Sequence, residues 1–143
     1  PRKPDRSLFT IPPTAFVPQS RIKQLVKIYR EKPSFYSRLL ESKGIGFCIV
    51  DEPKLPQLMP YVPRASSKIG YFRFHGRNPN WFNVPVKVRY DYLYSEKELR
   101  EFIPGIQDIS RKTAKTLIFF NNCYSGSAAK NAAQMAQLLT EQN

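Results

Sequence analysis

The sequence predicts an α/β fold built on a parallel β-sheet. Three short apolar runs have the composition of strands, and they cover Ile45–Val50, Gly70–Phe74 and Thr116–Phe120. The first and third runs are continuously apolar, which is typical of parallel strands covered on both faces. Helical patterns lie between the second and third runs and after the third, and such alternation of strands with helices is typical of a parallel sheet.

The segment before the first run is predicted to be an extended arm followed by two helices. Residues 1–19 combine prolines, basic residues and short apolar islands, which indicates an arm or one or two short edge strands. Apolar residues at helical spacing predict a helix over Arg21–Glu31. A second short helix is predicted over Ser34–Ser42, and Gly44 lies where a helix end favours a left-handed residue.

Two further helices are predicted in the second half of the chain. Ser95 and Glu98 form a capping-box pattern in front of an apolar stripe at helical spacing. Pro104 and Gly105 interrupt this stripe, so a kink or a break is expected there. A last helix is predicted over Ser127–Leu139, with its first residue as N-cap and an apolar face of alanines, a methionine and a leucine.

The composition favours a globular chain with anionic partners and without a membrane span. Hydrophobic residues make up 41% of the 143 residues, which suffices for a core. No apolar run approaches the roughly 20 residues that a membrane helix needs, and no apolar segment of a signal peptide follows the basic start. The net charge of +12 favours nucleic acid, phosphorylated small molecules or acidic lipid as partners, although an ordinary basic surface explains it equally well.

The cysteine and histidine content indicates a reducing, cytoplasmic location and argues against a zinc site. Cys48 and Cys123 lie in or just after apolar runs, so buried free thiols are predicted. Because His75 is the only histidine, a zinc site of the usual Cys/His kind lacks ligands. The sequence names no cofactor. The first residue is Pro rather than Met, so the chain is expected to be a processed or trimmed piece.

Polar and charged side chains follow each of the three apolar runs. The carboxyl ends of parallel strands share one face of an α/β fold, and ligands bind there. We therefore expect these side chains to lie close together. The candidate catalytic residues are Asp51, Arg73, His75 and Asn121, and the candidate ligand-binding residues are Glu52, Arg77, Asn78, Trp81, Tyr90, Tyr92 and Asn122.

The carboxylates and the imidazole each have two interpretations. Asp51 is a candidate general base, or it caps the turn before a proline, while Glu52 is either functional or solvated. His75 is a candidate acid or base, or a packed side chain. A metal-dependent variant places Asp51, Glu52 and His75 around Mg²⁺ or Mn²⁺, but no metal ligand is assigned.

The arginine and the two amides also have alternatives. Arg73 alternates with two phenylalanines, so it is expected to point away from them into a barrel interior. There it either holds a substrate carboxylate or phosphate, or pairs with Asp51 as a structural ion pair. Asn121 and Asn122 either contact a reacting oxygen or a sugar hydroxyl, or stabilise their loop.

The long loop over residues 77–94 interleaves aromatic and basic side chains. Such interleaving is typical of a surface that stacks and neutralises nucleic acid. It is also typical of a lid over a small-molecule pocket, which we favour. In the third interpretation Tyr90, Tyr92 and Tyr94 simply pack the lid down.

Four strings, in this order and spacing, resemble the end of the YecE-like proteins, the domain of unknown function 72: DEPKLPQLMPYVP, YFRFHGRNPNWF, RYDYLYSEKEL and FFNNCYSGSAAKNAAQMAQLL. The resemblance covers about residues 44–142. It implies a TIM-like (β/α) barrel in which the three apolar runs are the last strands, and it carries no catalytic assignment. The residues that fall on family motif positions are Asp51, Glu52, Arg73, His75, Gly76, Arg77, Asn78, Tyr90, Tyr92, Asn121, Asn122 and Asn131.

The chain is shorter than the barrel that the resemblance implies. A complete barrel needs about 250 residues, and the opening strands and glycine-rich motif of the family have no counterpart here. We expect residues 1–32 to form a basic, proline-rich arm plus a helix outside the match. Residues 33–143 are expected to form the C-terminal part of a partial or truncated barrel. Because three parallel strands leave exposed edges, missing barrel segments or a partner chain are expected to be needed for stability.

Two functions fit these observations. The first is binding or chemistry on an anionic or phosphorylated small molecule at the carboxyl ends of the strands. The alternative is a nucleic-acid-binding or assembly module that uses the basic surface, including the arm.

Overall fold

The structure, a computed structural model, describes residues 26–141. The predicted arm over residues 1–19 and the start of the helix predicted over Arg21–Glu31 lie outside the described residues, and residues 26–31 are helical (α1). The later elements are α2 (Pro33–Ser42), β1 (Cys48–Asp51), β2 (Ile69–Phe74), α3 (Val86–Arg89), α4 (Glu96–Lys112), β3 (Lys115–Phe120) and α5 (Ser127–Thr140).

The described strands form one parallel sheet, as the sequence predicts, and their order in it is β1-β2-β3. In the register, Val50 pairs with Arg73 and Arg73 with Phe119, while the next row joins Asp51, Phe74 and Phe120. The ladder continues one residue beyond β2 and β3, because the His75 amide donates to the Asp51 carbonyl at 2.9 Å and the Asn121 amide to the Phe74 carbonyl at 2.7 Å.

The first strand starts later than predicted. Its expected residues 45–47 are outside the ladder because a serine side chain binds their backbone: Ser66 Oγ accepts from the Phe47 amide at 2.7 Å and donates to the Ile45 carbonyl at 2.9 Å. These backbone groups are satisfied without a neighbouring strand. Asp51, which was expected after the strand, is its last residue.

One face of the sheet is covered by α4 and α5, and the core lies between them. Phe74 of this face stacks on Phe102 of α4 with ring centroids 4.5 Å apart. The buried core also contains Ile49, Phe72, Leu99, Ile103, Ile106, Ile109, Met135 and Leu138.

The other face of the sheet, here called the open face, is less well covered. Its central row is Val50, Arg73 and Phe119, and Phe119 is 45% exposed. The expectation that the third strand is covered on both faces is therefore wrong for the described chain. The continuously apolar run correctly predicts a parallel strand, but a run of this kind does not reveal which segment covers it.

Helix α4 is continuous, so of the kink or break expected at its proline, the break is wrong. Pro104 lies inside the helix and faces solvent, where the missing backbone hydrogen bond is tolerated more easily than on the packed side. Gly105 allows the helix to approach the preceding loop, because a Cβ atom there would lie 2.6 Å from Tyr61 Oη. The capping box of Ser95 and Glu98 is present as predicted.

Helix α5 begins as predicted but buries a different face. Its N-cap is Gly126, with φ of 75°, rather than Ser127. The buried positions are Ser127, Asn131, Met135 and Leu138, so the face is rotated from the expected alanine stripe. The rotation follows from hydrogen bonds that bury Asn131, and hydrophobic periodicity does not register them.

The helix Pro33–Ser42 and the left-handed Gly44, with φ of 66°, agree with the predictions. Both cysteines are free thiols within the described residues, but only Cys48 is half-buried, and Cys123 is exposed. The predicted burial of Cys123 is wrong because this residue lies in the turn after β3, beyond the hydrogen-bonded ladder. None of the helices in residues 26–141 has the length and apolar character to cross a membrane.

Candidate functional site

Strand alternation divides the candidate residues between the two faces of the sheet. Asp51 belongs to the row of the covered face, whereas Arg73 belongs to a row of the open face. Because the ladder continues past the strand ends, Glu52, His75 and Asn121 form the next row of the open face. We call Arg73 with these three residues the open-face site, and the group around Asp51 the buried carboxylate cluster.

The buried carboxylate cluster is held by Asp51, whose side chain is engaged on both oxygens. Arg77 donates to Asp51 through Nε at 3.0 Å and through Nη2 at 3.1 Å, and the Tyr94 hydroxyl donates to Oδ2 at 2.7 Å. Asp51 is only 3% exposed. The ion pair that the sequence suggested between Arg73 and Asp51 is therefore formed by Arg77 instead, because Arg77 follows the strand and turns back onto the covered face.

Arg77 links this cluster to α4. Its Nη1 lies 3.2 Å from Glu101 and 3.5 Å from Glu98, and its guanidinium lies 5.0 Å from the ring centre of Phe102. Burial lowers the pKa of Arg77, but its hydrogen bonds and the charge of Asp51 outweigh burial and raise the pKa overall. Arg77 is thus a permanent cation that is neutralised by the protein's own carboxylates.

Tyrosines complete the cluster. The Tyr92 hydroxyl donates to Glu98, and burial together with this bond raises the pKa of Tyr92. Burial and the Asp51 carboxylate raise the pKa of Tyr94, whose hydroxyl also accepts from the Gly76 amide at 2.8 Å. Tyr92, a predicted ligand-binding residue, therefore lies inside a hydrogen-bonded network within the described chain.

Asn122 and Asn131 form a second buried network next to this cluster. Asn131 Oδ1 accepts from the Tyr94 amide at 3.0 Å, and its Nδ2 donates to the Tyr94 carbonyl at 2.9 Å. Asn122 Nδ2 donates to Asn131 Oδ1 at 2.8 Å and to the Tyr92 carbonyl at 2.9 Å. These bonds hold the segment before α4 in place. Asn122 therefore stabilises this segment, which was the second of its two predicted roles. Residue-by-residue interpretation missed Asn131, and only the family motif pointed to it.

Replacing Asn131 by alanine is expected to lower the free energy of unfolding by about 2–3 kcal/mol, because it leaves the buried Tyr94 backbone groups without partners. Chemical denaturation checks this value. Asn80→Ala, at an exposed position, is the matched control and should change stability by less than about 0.5 kcal/mol. Equal effects of the two substitutions would contradict the structural role of Asn131.

Arg73 is the charged centre of the open-face site. Its Nε donates to Asn121 Oδ1 at 3.0 Å, and among residues 26–141 it forms no ion pair. Glu52 is nearby, and its Oε2 accepts from the Met59 amide at 3.2 Å. Burial raises the pKa of Glu52, while the Met59 bond and the charge of Arg73 oppose this rise.

His75 is enclosed by aromatic side chains of the loop over residues 77–94. Its ring centre lies 6.3 Å from that of Trp81 and 5.9 Å from that of Tyr90, and its exposed fraction is 9%. Nδ1 is buried, and neither ring nitrogen has a hydrogen-bond partner among the described residues. Burial, with a smaller contribution from Arg73, lowers the pKa of His75 to about 4. The imidazole is therefore neutral at pH 7.

The single imidazole resonance of this chain is expected to titrate with a midpoint near pH 4 instead of 6.5. Above pH 6.5 both the native and the unfolded chain hold a neutral His75, and stability is unaffected. As the pH falls from 6.5 towards 4, the unfolded chain binds a proton that the native chain does not, so the free energy of unfolding declines. NMR titration gives the midpoint, and His75→Gln should remove this part of the decline. A native midpoint near 6.5 would contradict the burial of His75.

The loop over residues 77–94 is packed against itself and against the sheet. Asn78 Nδ2 donates to the Val88 carbonyl at 2.8 Å and to the Asp91 carbonyl at 3.1 Å. Arg89 donates to the Trp81 carbonyl at 2.8 Å, and Trp81 is 7% exposed. Asn78, Trp81 and Tyr90 therefore hold this wall of the site in place.

The chain matches one protein family and a curated relative from Bacillus subtilis. Residues 27–143 match the family described as "Protein of unknown function DUF72". The chain belongs to the DUF72 family. It is 31% identical over 118 residues to the UPF0759 protein YunF of Bacillus subtilis, in a match that covers 75% of this chain and 42% of that protein.

Solved structures of DUF72 proteins share the fold. A DUF72 family protein from Thermotoga maritima superposes with a TM-score of 0.73 and 46% identity, covering 78% of this chain and 43% of that one. A DUF72 family protein from Enterococcus faecalis gives a TM-score of 0.68 and 26% identity, covering 85% of this chain and 51% of that one. This DUF72 chain thus spans about half of the length of these relatives or less.

The three residues considered for a divalent cation are not gathered in this DUF72 chain. Asp51 lies on the covered face, whereas Glu52 and His75 lie on the open face. In the part of the chain that the structure describes, no group of three His, Cys, Asp or Glu residues lies close enough to hold a metal ion.

Two of the cavities formed by residues 26–141 of this DUF72 chain lie beside the sheet. A cleft of about 480 Å³ at the end of β1 is lined by Arg30, Glu52, Tyr61 and Arg77, among others. A groove of about 590 Å³ lies between α4, β3 and α5 and is lined by both polar and apolar side chains, including Ile106. The first cleft adjoins the strand ends, and its lining includes Glu52 of the open-face site as well as Asp51 and Arg77. The second lies away from all predicted site residues.

Proposed function

We propose that this DUF72 protein binds a small anionic molecule at the carboxyl ends of its strands, with Arg73 as the receptor. The observation that carries the proposal is the state of Arg73. Its guanidinium is oriented by Asn121 through Nε, which leaves Nη1 and Nη2 without a partner among the described residues. A guanidinium held in this way matches the bidentate geometry of a carboxylate or phosphate.

The neighbours of Arg73 supply groups for acid–base chemistry on such a ligand. His75 is neutral at pH 7 and its side chain forms no hydrogen bond within residues 26–141. Burial raises the pKa of Glu52, which moves it in the direction of neutral pH. A general acid or base works best when its pKa lies near the working pH. Glu52 is therefore the better candidate for proton transfer, and His75 for a neutral contact.

The buried carboxylate cluster positions the strand end rather than the ligand. Asp51 and Arg77 satisfy each other and are tied to α4, and a residue engaged in this way is poorly placed to accept a substrate proton. We therefore propose that these two predicted site residues act by holding the end of β2 and its following turn. Asn122 acts in the same way through its bonds to the segment before α4.

The open face is proposed to line the interior of a TIM-like (β/α) barrel. The relatives are about twice as long as this chain, and ligands of such barrels bind at the carboxyl ends of the strands. Further barrel segments or a partner chain would cover Val50 and Phe119, complete the site and stabilise the sheet.

A small molecule is favoured over nucleic acid as the ligand. The hypothesis of nucleic-acid binding needs aromatic rings that stack on bases. Trp81 is buried, and the half-buried Tyr90 packs edge-on against it with ring centres 5.5 Å apart. Phe82 is the exposed aromatic ring of this loop, and a single exposed ring does not form a row of stacking platforms. The basic arm that would serve an assembly module lies outside the described residues.

Calorimetric titration with inorganic phosphate and pyrophosphate tests the proposal. Arg73→Ala is expected to weaken anion binding at least about tenfold, because a charge-assisted hydrogen bond contributes roughly 1.5–3 kcal/mol. Arg73→Lys should restore only part of the affinity, since an ammonium group lacks the planar fork.

Arg111→Ala is the matched control for the loss of one positive charge. Arg111 is 71% exposed on α4, and its replacement should leave anion affinity unchanged. If Arg111→Ala and Arg73→Ala weaken binding equally, the anions bind through general surface charge, and the assignment of Arg73 is wrong. Circular dichroism establishes that both variants retain the native secondary structure.

A further inference from the structure

The open-face site carries more hydrogen-bonding groups than a simple anion requires. Beyond Arg73, towards the carboxyl ends, the next row of the open face contains Glu52, His75 and Asn121, one from each strand end. Neighbouring strands are about 4.8 Å apart. A carboxylate, an imidazole and an amide therefore form a polar row roughly 10 Å wide across the sheet.

His75 is the central member of this row, and its hydrogen bonds are missing. It is nine-tenths buried, and neither ring nitrogen has a partner among the described residues. Buried polar atoms in native proteins nearly always have partners, so the buried and unpartnered Nδ1 makes this imidazole an exception. Nε2 is not buried, so it is the ring nitrogen that is open to a ligand.

The position of the imidazole is fixed by the loop over residues 77–94. Trp81 meets the ring edge-on at an interplanar angle of 87°, and Tyr90 lies against it at 34°. Trp81 is itself held by Arg89 through its carbonyl. A polar group that is held without a partner is preorganised for a ligand and loses little freedom on binding.

The spacing between Arg73 and His75 sets the size of the ligand. They are two residues apart on one strand face, and a parallel strand rises about 3.3 Å per residue, so their Cα atoms are about 6.6 Å apart. A ligand that contacts both needs an anionic group at one end and a hydrogen-bonding group a few bonds away.

We propose that His75 binds a hydroxyl group of the anionic ligand, and that the ligand class is therefore the phosphorylated polyols. This inference rests on the proposed function of Arg73 and adds the identity of the second contact. The anionic end lies at Arg73, and the hydroxyl groups lie along the row of Glu52, His75 and Asn121. Each group in this row can donate to or accept from a hydroxyl.

The charge of the site fits a neutral contact at this position. A protonated imidazole would repel Arg73, whereas the lowered pKa of His75 keeps it neutral and able to bind an uncharged hydroxyl. If His75 only filled space between Trp81 and Tyr90, replacing it by phenylalanine would leave ligand affinity unchanged.

Two probes that differ only in their hydroxyl groups test the proposal: α-glycerol phosphate and n-propyl phosphate, each titrated into the full chain by calorimetry. The protein is expected to bind α-glycerol phosphate about tenfold more tightly, as one or two added hydrogen bonds allow. His75→Phe keeps an aromatic ring between Trp81 and Tyr90 and should reduce this preference to within about twofold. Its affinity for n-propyl phosphate, measured in parallel, is the baseline from which this preference is calculated.

The outcomes separate this inference from the proposed function. Equal binding of the two probes by the native protein overturns the role of His75 and leaves Arg73 as an anion receptor. Binding of neither probe overturns both. A preference that survives His75→Phe assigns the hydroxyl contact to another residue and also overturns the inference. Should His75→Phe fail to fold, His75→Leu provides the substitute, because leucine also lacks a hydrogen-bonding group and should likewise lose the preference.

Discussion

Replacing Asp51 by alanine is expected to destabilise the chain by about 3–5 kcal/mol, which is the usual cost of removing one partner of a buried ion pair. Asp51 neutralises Arg77 through bonds from Nε and Nη2 and accepts the Tyr94 hydroxyl. Without it, Arg77 keeps only the longer contacts of Nη1 with Glu101 and Glu98, and its half-buried Nε and Nη2 lose their partner. Since whole domains are stable by only about 5–15 kcal/mol, the thermal transition should fall sharply or disappear.

Chemical denaturation with two comparison variants identifies the cause of this loss. Asp108→Ala removes an exposed carboxylate that pairs with Lys112 at 2.6 Å, and it should cost less than about 0.5 kcal/mol. The double variant Asp51→Leu with Arg77→Met removes both buried charges, and it should be more stable than Asp51→Ala alone. If Asp51→Ala and Asp108→Ala cost the same, the buried carboxylate cluster does not stabilise the fold, and the catalytic interpretation of Asp51 gains weight.

The sheet could be predicted from the sequence because its signals are local. Three short apolar runs, the first and third of them continuous, predict parallel strands, and all three lie in one parallel sheet. The capping box of Ser95 and Glu98 predicts the start of α4 because both partners lie within one helical turn. The convergence of polar residues at the strand ends follows from parallel topology alone.

The division of the site between two faces was open to prediction but was missed. Asp51 and Glu52 are adjacent in sequence and were treated as a pair, although successive side chains of a strand point to opposite faces. The same alternation, applied to Arg73 and the phenylalanines beside it, correctly placed Arg73 away from the core. The predicted strand ended at Val50. A strand that ends at Asp51 places Asp51 and Glu52 on opposite faces of the sheet.

Other features depend on contacts that only the folded chain provides. Asn131 is buried because it binds the Tyr94 backbone, 37 residues away in sequence. Helix α4 continues through Pro104 because its packed side is formed by other residues, including Gly105 against Tyr61. Local sequence patterns do not reveal such distant partners. The predicted break in α4 and the predicted alanine face of α5 are wrong for this reason.

Replacing Gly76 by alanine is expected to cost about 2–5 kcal/mol of stability. Gly76 has φ of +91°, a conformation that costs an L-residue roughly 1–2 kcal/mol. A Cβ atom there would also lie 2.7 Å from Tyr92 Cβ, and such overpacking adds about 1–3 kcal/mol. The displaced backbone would strain the bond from the Gly76 amide to the Tyr94 hydroxyl, and with it the turn that joins His75 to Arg77.

Gly126→Ala separates the two causes, because Gly126 has φ of +75° but open space around its missing Cβ. Denaturation of this variant should show the conformational cost alone, about 1–2 kcal/mol. The excess loss in Gly76→Ala then measures the contact with Tyr92. If the two variants lose equal stability, the turn after β2 can relax away from Tyr92. In that case the position of His75, which the same turn fixes, is less rigid than the proposed hydroxyl contact requires.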